Sequence, residues 1–263
     1  MNNITSLKKG KIRFAFLLTS TIKPNITVFS KRKDPKIRER DYYGVLSTLA
    51  KTNHPIVFCD SSDYSLENMK EVLSSRPSGT YEVLQFDGSV FPPHLGKGYG
   101  ELQIIRYALE HSTLLKECDF IIKITGRYSV ENINQILDAI RVDSSTLIIA
   151  DYNSSSRYTY SGLFIARPSF FSDHLFSFQE FLNDSEKRFF EIAFHRAIQK
   201  AVSEGGGVLQ FPIKPIITGY SGTWDVKMAK GDYRAIEMSF AKIQIITLAY
   251  ARVLRSKIKA FFR

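Results

Sequence analysis

Cysteine is nearly missing from this 263-residue chain: Cys59 and Cys118 are the only two, each in or beside a strand-like apolar run. That excludes a disulfide framework and suits a reducing compartment. No run of eighteen apolar residues occurs, so the sequence offers no transmembrane span. The opening residues Met1 to Lys9 lack the apolar stretch of a signal peptide. A Gly-x-x-x-x-Gly-Lys-Ser/Thr loop is missing, as is a glycine fingerprint directly after the first strand. Gly-x-Ser-x-Gly and Cys-His arrangements are missing too, and so is a paired zincin motif. P-loop, dinucleotide-binding, hydrolase and zinc-protease readings therefore drop out. Neither an internal repeat nor a low-complexity tract is present.

What remains is ordinary in composition and unusual in charge. Hydrophobic residues make up 44% and charged residues 24%, enough to bury the core of one large domain. Lys and Arg number 36 against 26 Asp and Glu, a formal net charge of +10. Such an excess calls for an anionic partner: nucleic acid, an anionic membrane or a phosphorylated small molecule. Much of it is concentrated. Residues Arg234 to Arg263 hold seven Lys/Arg and one acid, Glu237, and a second cluster runs from Lys31 to Arg38.

Apolar runs of strand length alternate with helical periodicity along the chain. Strands are expected at 11–18, 55–59, 81–86, 120–124, 146–150 and 162–166, with extended stretches at 209–213 and 215–218. Helices are expected at 38–51, with Tyr43, Val45, Leu46 and Leu49 inward, and at 66–74, capped by Ser65. Further helices are expected at 101–115, 131–140, 186–201 and 233–262. The pattern predicts an α/β fold with a mostly parallel sheet, whose ligands gather at the carboxyl ends of the strands. A catalytic unit over 1–230 and a basic amphipathic helical segment over 231–263 are the expected divisions.

Several of those strand ends carry chemistry. The fourth ends in Thr125-Gly126-Arg127, a flexible cationic turn suited to a phosphate. The second ends in Asp60-Ser-Ser-Asp63, where Asp60 reads either as acceptor for a nucleobase edge or as part of a helix-capping turn. Gly96-Lys97-Gly98-Tyr-Gly-Glu101 opens a helix and would suit a diphosphate. Glu191 and His195 stand one helical turn apart, a base with its helper or simply a solvated face. Asp151 ends the fifth strand. Gly219-Tyr-Ser221-Gly-Thr-Trp224-Asp225 reads either as a closing lid, with Trp224 stacking on a sugar, or as a loop with Trp224 in the core.

In this order the elements resemble the bacterial GT-A glycosyltransferases of O-antigen, capsule and related surface-polysaccharide synthesis. The likeness covers about residues 11–228 and is carried by Phe14–Ser20, Ile56–Asp63, Gly96–Ala108, Asp119–Tyr128, Tyr160–Arg167 and Phe190–Arg196. It implies a Rossmann-like GT-A fold and sugar transfer from a nucleotide-sugar donor, a UDP-hexose, to a lipid-linked glycan acceptor. Thr19, Asp60, Lys97, Gly98, Thr125 and Gly126 would hold the donor. Glu191 would serve as base with Asp151 as understudy, and Arg127 would neutralise the leaving diphosphate. Trp224, Ser221 and His195 would face the acceptor. The family's Asp-x-Asp position reads Thr125-Gly126-Arg127, so no metal cofactor is expected; if the enzyme needs Mn2+ or Mg2+, Asp151 is the ligand to test. Ile243, Ile246, Tyr250, Val253 and Leu254 alternate with basic residues at helical spacing. That pattern places the protein on the anionic inner face of the cytoplasmic membrane, or else packs the stripe on the catalytic domain or on a second subunit. Two rivals are a sugar-phosphate nucleotidylyltransferase, which lacks its glycine loop after the first strand, and a nucleic-acid-binding protein, of which no module is recognisable. No nucleic acid partner is expected.

Overall fold

A computed structural model gives the fold, and it describes residues 12–25, 31–88, 90–222 and 225–227. The basic segment 231–263 and Trp224 lie outside the described residues. Among the described residues nine strands and seven α-helices follow one another as β1 (Phe14–Ser20), α1 (Pro35–Leu49), β2 (Ile56–Asp60), α2 (Glu67–Ser74), β3 (Tyr81–Gln85), α3 (Gly96–His111), α4 (Thr113–Glu117), β4 (Phe120–Thr125), β5 (Tyr128–Val130), α5 (Ile133–Ala139), β6 (Thr146–Ile149), β7 (Leu163–Ala166), α6 (Pro168–Phe170), α7 (Phe190–Ser203), β8 (Gly207–Leu209) and β9 (Ile217–Gly219).

Seven strands form one sheet in the order β3-β2-β1-β4-β7-β6-β8. β1 is buried at all seven positions and β2 at all five, as central strands covered on both faces must be. Successive side chains then feed two cores. Phe14, Phe16 and Leu18 pack with Tyr42, Leu46 and Ile136 beneath α1, α2 and α5. Ala15 and Leu17 pack with Ile105, Phe164 and Phe194 beneath α3 and α7.

The mostly parallel α/β sheet expected from the sequence is the one found, with one strand reversed. β7 pairs antiparallel with both β4 and β6, while β1, β2, β3, β4, β6 and β8 pair in parallel with their other neighbours. Reversal brings the start of β7 beside the end of β4, where Thr125 N–H donates to Gly162 C=O at 2.9 Å. β5 and β9 form a separate two-stranded sheet.

Several boundaries shift for identifiable reasons. α1 starts three residues early because Asp34 accepts from Lys36 N–H (2.8 Å) and Ile37 N–H (3.4 Å) while Pro35 fixes the first turn. Its inner face is therefore Arg38, Tyr42, Val45, Leu46 and Leu49, and Tyr43 is 45% exposed instead of inward. α3 begins at Gly96, so the glycine-rich stretch forms its first turns. Ser65 makes no side-chain cap at the start of α2; its hydroxyl only reaches Glu67 N–H at 3.5 Å. The stretch between β7 and α7, which carried no periodic signal, is a run of short turns lying on the second core through Phe170, Phe171 and Leu175.

Candidate functional site

From β1 the chain builds outward through α1 to β2 and β3, then returns to the other side of β1 to lay down β4. Strand order thus reverses between β1 and β4, the place where open α/β sheets leave a crevice at their carboxyl edge. A cavity of about 130 Å3 lies there, lined by the tips of β1 (Thr19–Thr21), β2 (Ser61) and β4 (Thr125, Arg127), the first turns of α3 and the inner face of α1. Four of the residues expected to bind or act there, Thr19, Lys97, Thr125 and Arg127, line it together.

Its cationic wall is built around Tyr42. This phenol is fully buried, and its oxygen accepts from Arg127 Nη1 at 2.8 Å, Arg38 Nη2 at 3.0 Å and Thr21 N–H at 3.2 Å. Three donors converge on an oxygen that has two lone pairs. Among the described residues neither guanidinium has a carboxylate within 4 Å. Arg38 also holds the backbone, donating to Thr21 C=O (2.8 Å) and Arg32 C=O (3.1 Å). Arg127 has no such second task, and its Nε is buried without a hydrogen-bond partner. Burial lowers the Arg38 guanidinium from its ordinary value, and the charge of Arg127 beside it acts in the same direction. Two cations held this close, neither with a carboxylate within 4 Å among the described residues, make this wall of the cavity strongly positive.

Gly126 brings Arg127 to that wall. Its N–H donates to Thr19 C=O at 3.0 Å, and a Cβ there would stand 2.8 Å from both that oxygen and the Tyr42 ring. The close approach this glycine permits is to the chain itself, not to a ligand.

Asp60 has a different occupation from the one expected. It is fully buried and outside the cavity lining. One oxygen accepts from Ser20 Oγ (2.6 Å) and Ile22 N–H (2.9 Å), the other from Ser62 N–H (2.8 Å) and Ser62 Oγ (2.5 Å). Four donors fill its acceptor capacity, so Asp60 organises the β1 and β2 tips and has nothing left for a base edge. Asp63 caps no helix and pairs with Lys23 at 3.1 Å.

At the start of α3, Asp184 is the partner the sequence did not disclose. It accepts from Lys97 N–H at 2.9 Å and lies so close to Gly96, at φ +76°, that a Cβ there would be 2.1 Å from its carboxyl. Burial pushes the Asp184 carboxyl up to about 6, with the charge of Glu191 adding to the rise and Lys97 opposing it. Part of the helix terminus expected to meet phosphate is thereby used internally. Gly98 turns away from the cavity and packs on Phe190.

Beneath the cavity lies a lysine inside a sheet strand. Lys123 in β4 is fully buried, and its Nζ donates to Glu101 Oε1 (2.6 Å), Ser161 C=O (3.0 Å) and Thr125 Oγ1 (3.1 Å). Burial raises the Glu101 carboxyl, but Lys123, Thr19 and Arg127 together hold it below the ordinary carboxylate value. Ser161 in turn donates through Oγ to Glu191 Oε1 at 3.0 Å. A polar chain thus runs from Thr19 through Glu101, Lys123 and Ser161 to the expected base.

Glu191 itself is half-buried on α7 and does not line the cavity. His195 is 2% exposed, set against Thr159 (Oγ1 to Nδ1 3.0 Å) and the Tyr152 ring; burial lowers its imidazole below the ordinary value. Asp151 follows β6 at the same sheet edge, half-buried and outside the cavity lining. Ser221 is buried, and its backbone bonds to Val226 and Asp225 at 3.0 and 2.9 Å; its neighbour Gly222 lines the cavity in its place.

A divalent cation held by protein side chains alone needs several converging carboxylates or imidazoles, whereas one shared with a ligand's phosphates needs only one or two. Among the described residues no three such side chains come together, and the charge offered to a ligand in the cavity is mainly guanidinium.

No protein-family model matches the chain, and no curated protein matches it in sequence. Among solved structures it is similar to an active-site mutant of LgtC (11% identity, 76% of this chain and 72% of that one, TM-score 0.44). It is likewise similar to a glycosyltransferase involved in glycosylating the major capsid of PBCV-1 (12%, 75% and 80%, 0.44). Staphylococcus aureus TarS is a third (14%, 76% and 35%, 0.41), and the chain spans about a third of its length. Likeness at this level leaves the reading of the site to the residues themselves.

Proposed function

We propose that this chain is a glycosyltransferase that moves a sugar from a nucleotide-sugar donor, a UDP-hexose, to a hydroxyl of a bacterial surface glycan. One observation carries the reading: two guanidiniums with no carboxylate partner among the described residues, Arg38 and Arg127, share one buried phenol at the crevice where the strand order reverses. As a glycosidic bond to a diphosphate stretches, negative charge collects on the departing oxygens, and preorganised cations favour that state over the ground state. Arg127, the less committed of the two, is the group that does this, with Arg38 and Lys97 beside it. No step is assigned to a metal.

The acceptor hydroxyl must lose a proton, and Glu191 is the base we assign, steadied by Ser161. Asp151 at the neighbouring strand end is the substitute. The sequence of the basic segment 231–263 supports a lipid-linked acceptor at an anionic membrane face. Co-sedimentation with anionic vesicles checks that placement, and equal pelleting of a chain ending near Tyr250 would count against it.

The deciding experiment is a nucleotide-sugar panel read by release of nucleoside diphosphate, with and without EDTA. Turnover that survives EDTA is expected. In Glu191→Gln, donor binding should persist while transfer falls roughly 10²- to 10⁴-fold. Pyrophosphate exchange with no release of nucleoside diphosphate would instead favour the nucleotidylyltransferase.

A further inference from the structure

Among the described residues lining the cavity Glu101 is the one carboxylate, and the mechanism above gives it no task. Its two oxygens are treated differently. Oε1 accepts twice within the protein, from Lys123 Nζ at 2.6 Å and Thr19 Oγ1 at 2.7 Å. Oε2 accepts no hydrogen bond among the described residues, and 24% of the side chain stays open to solvent.

Packing alone does not call for this pair. A fully buried lysine and its counter-ion are costly to desolvate, and an apolar pair would fill the same volume at no such cost. Nor does anion binding call for it. A fixed negative charge in a cavity that otherwise offers Arg38, Arg127 and Lys97 weakens the hold on a bare phosphate. An open carboxylate oxygen beside a cationic wall is useful for one class of ligand, in which hydroxyl groups stand close to a phosphate. Such a ligand places its charge on the guanidiniums and its O–H on the carboxylate, and hydrogen bonds to ionised acceptors are the strong ones. Lys123 and Thr19 fix the carboxylate from behind, so that Oε2 is presented in one orientation.

We infer that Glu101 is a specificity-determining residue whose Oε2 accepts a hydrogen bond from a carbohydrate hydroxyl of the phosphorylated ligand. This rests on the anion-binding reading of the same cavity. The hydroxyl belongs to the pentose of a nucleotide or to the sugar being transferred, and the test separates the two.

Binding of pyrophosphate, UDP and the better bound of UDP-glucose and UDP-galactose is measured calorimetrically on the full chain. The proteins compared are wild type, Glu101→Gln, and a double variant combining Glu101→Gln with Lys123→Met, which removes both charges together. Melting curves establish that each variant is folded. Pyrophosphate should bind both variants as well as wild type or several-fold tighter. The carbohydrate-bearing ligands should lose roughly ten- to hundredfold. A loss that first appears with UDP assigns the pentose, and one confined to the UDP-sugar assigns the hexose. If pyrophosphate and the carbohydrate ligands weaken by the same factor in both variants, or neither changes, Glu101 is only a counter-ion and the inference falls. If wild type binds neither pyrophosphate nor UDP, the anion-binding reading fails first and takes the inference with it.

Discussion

The tips of β2 and β4 lie on either side of β1, and each ends near a charged residue that reads in sequence as a ligand contact. At the β2 tip the carboxylate of Asp60 meets four donors from its own chain. At the β4 tip Arg127 brings five N–H donors and gives one hydrogen bond to Tyr42, while its Nε is buried with no partner. Charge at a strand end is therefore a weak sign of function. Charge whose hydrogen-bonding capacity the fold leaves unspent is the stronger one, because burying such a group costs free energy that a ligand can recover.

The largest effect is expected at Arg127. Arg127→Ala removes a cation that has no carboxylate within 4 Å among the described residues, so turnover should fall roughly 10²- to 10³-fold, as when one preorganised donor to a leaving charge is deleted. Thermal melting should move by only a few degrees. Near wild-type release of nucleoside diphosphate from this variant would remove Arg127 from the mechanism.

Asp60→Asn should invert that pattern. The amide nitrogen cannot accept, so two of the four donors lose their partner, and stability should drop by roughly 2 to 4 kcal/mol. Pyrophosphate affinity of the folded protein should change by less than about twofold. Denaturant unfolding and calorimetry read the two effects separately, and a stable variant that cannot bind would return Asp60 to the binding surface.

A smaller effect sharpens the contrast at the start of α3. The folded Asp184 carboxyl, pushed up to about 6 by burial, holds its proton more tightly than in the unfolded chain, where the ordinary value is 3.8. Its contribution to stability is thus fullest below about pH 4 and is lost as pH rises through 6. Wild type should lose roughly 3 kcal/mol from this group between pH 4 and 7, an upper figure for a two-unit shift. Asp184→Asn should flatten that part of the profile. Parallel stability curves for the two proteins over this range would show that the carboxyl does not titrate there.

Much of the frame was legible in advance, and the misses have physical causes. β1, β2, β4 and β6 were found within a few residues because each is a nearly continuous, mostly buried apolar run, and β3, a half-buried edge strand, was found at the same accuracy. The reversed direction of β7 was not, since Leu163-Phe-Ile-Ala166 reads alike in either sense. Arg38 and Tyr42 were overlooked although their spacing, continued by Leu46 and Leu49, marks one face of α1. Arg38 entered only as the end of a basic cluster, and the inward position was given to Tyr43 in place of Tyr42. Lys123 stood in plain view as the lone cation within Phe-Ile-Ile-Lys-Ile. Asp184 gave no signal, for it meets Gly96 from 88 positions away in a stretch without periodicity.

The sequence by itself determined the alternation of strands and helices, the two-sided burial of the central sheet, and the basic excess that asks for an anion. Those are properties of local pattern and of sums over the chain. Which charges stay available was decided only by the tertiary structure. Whether Asp60, Arg127 or Glu101 has an atom to spare depends on donors and acceptors that arrive from β1, α1, α3 and the turn before β7. Hydrogen-bond capacity is exhausted by neighbours in space, and pattern along the chain does not record them.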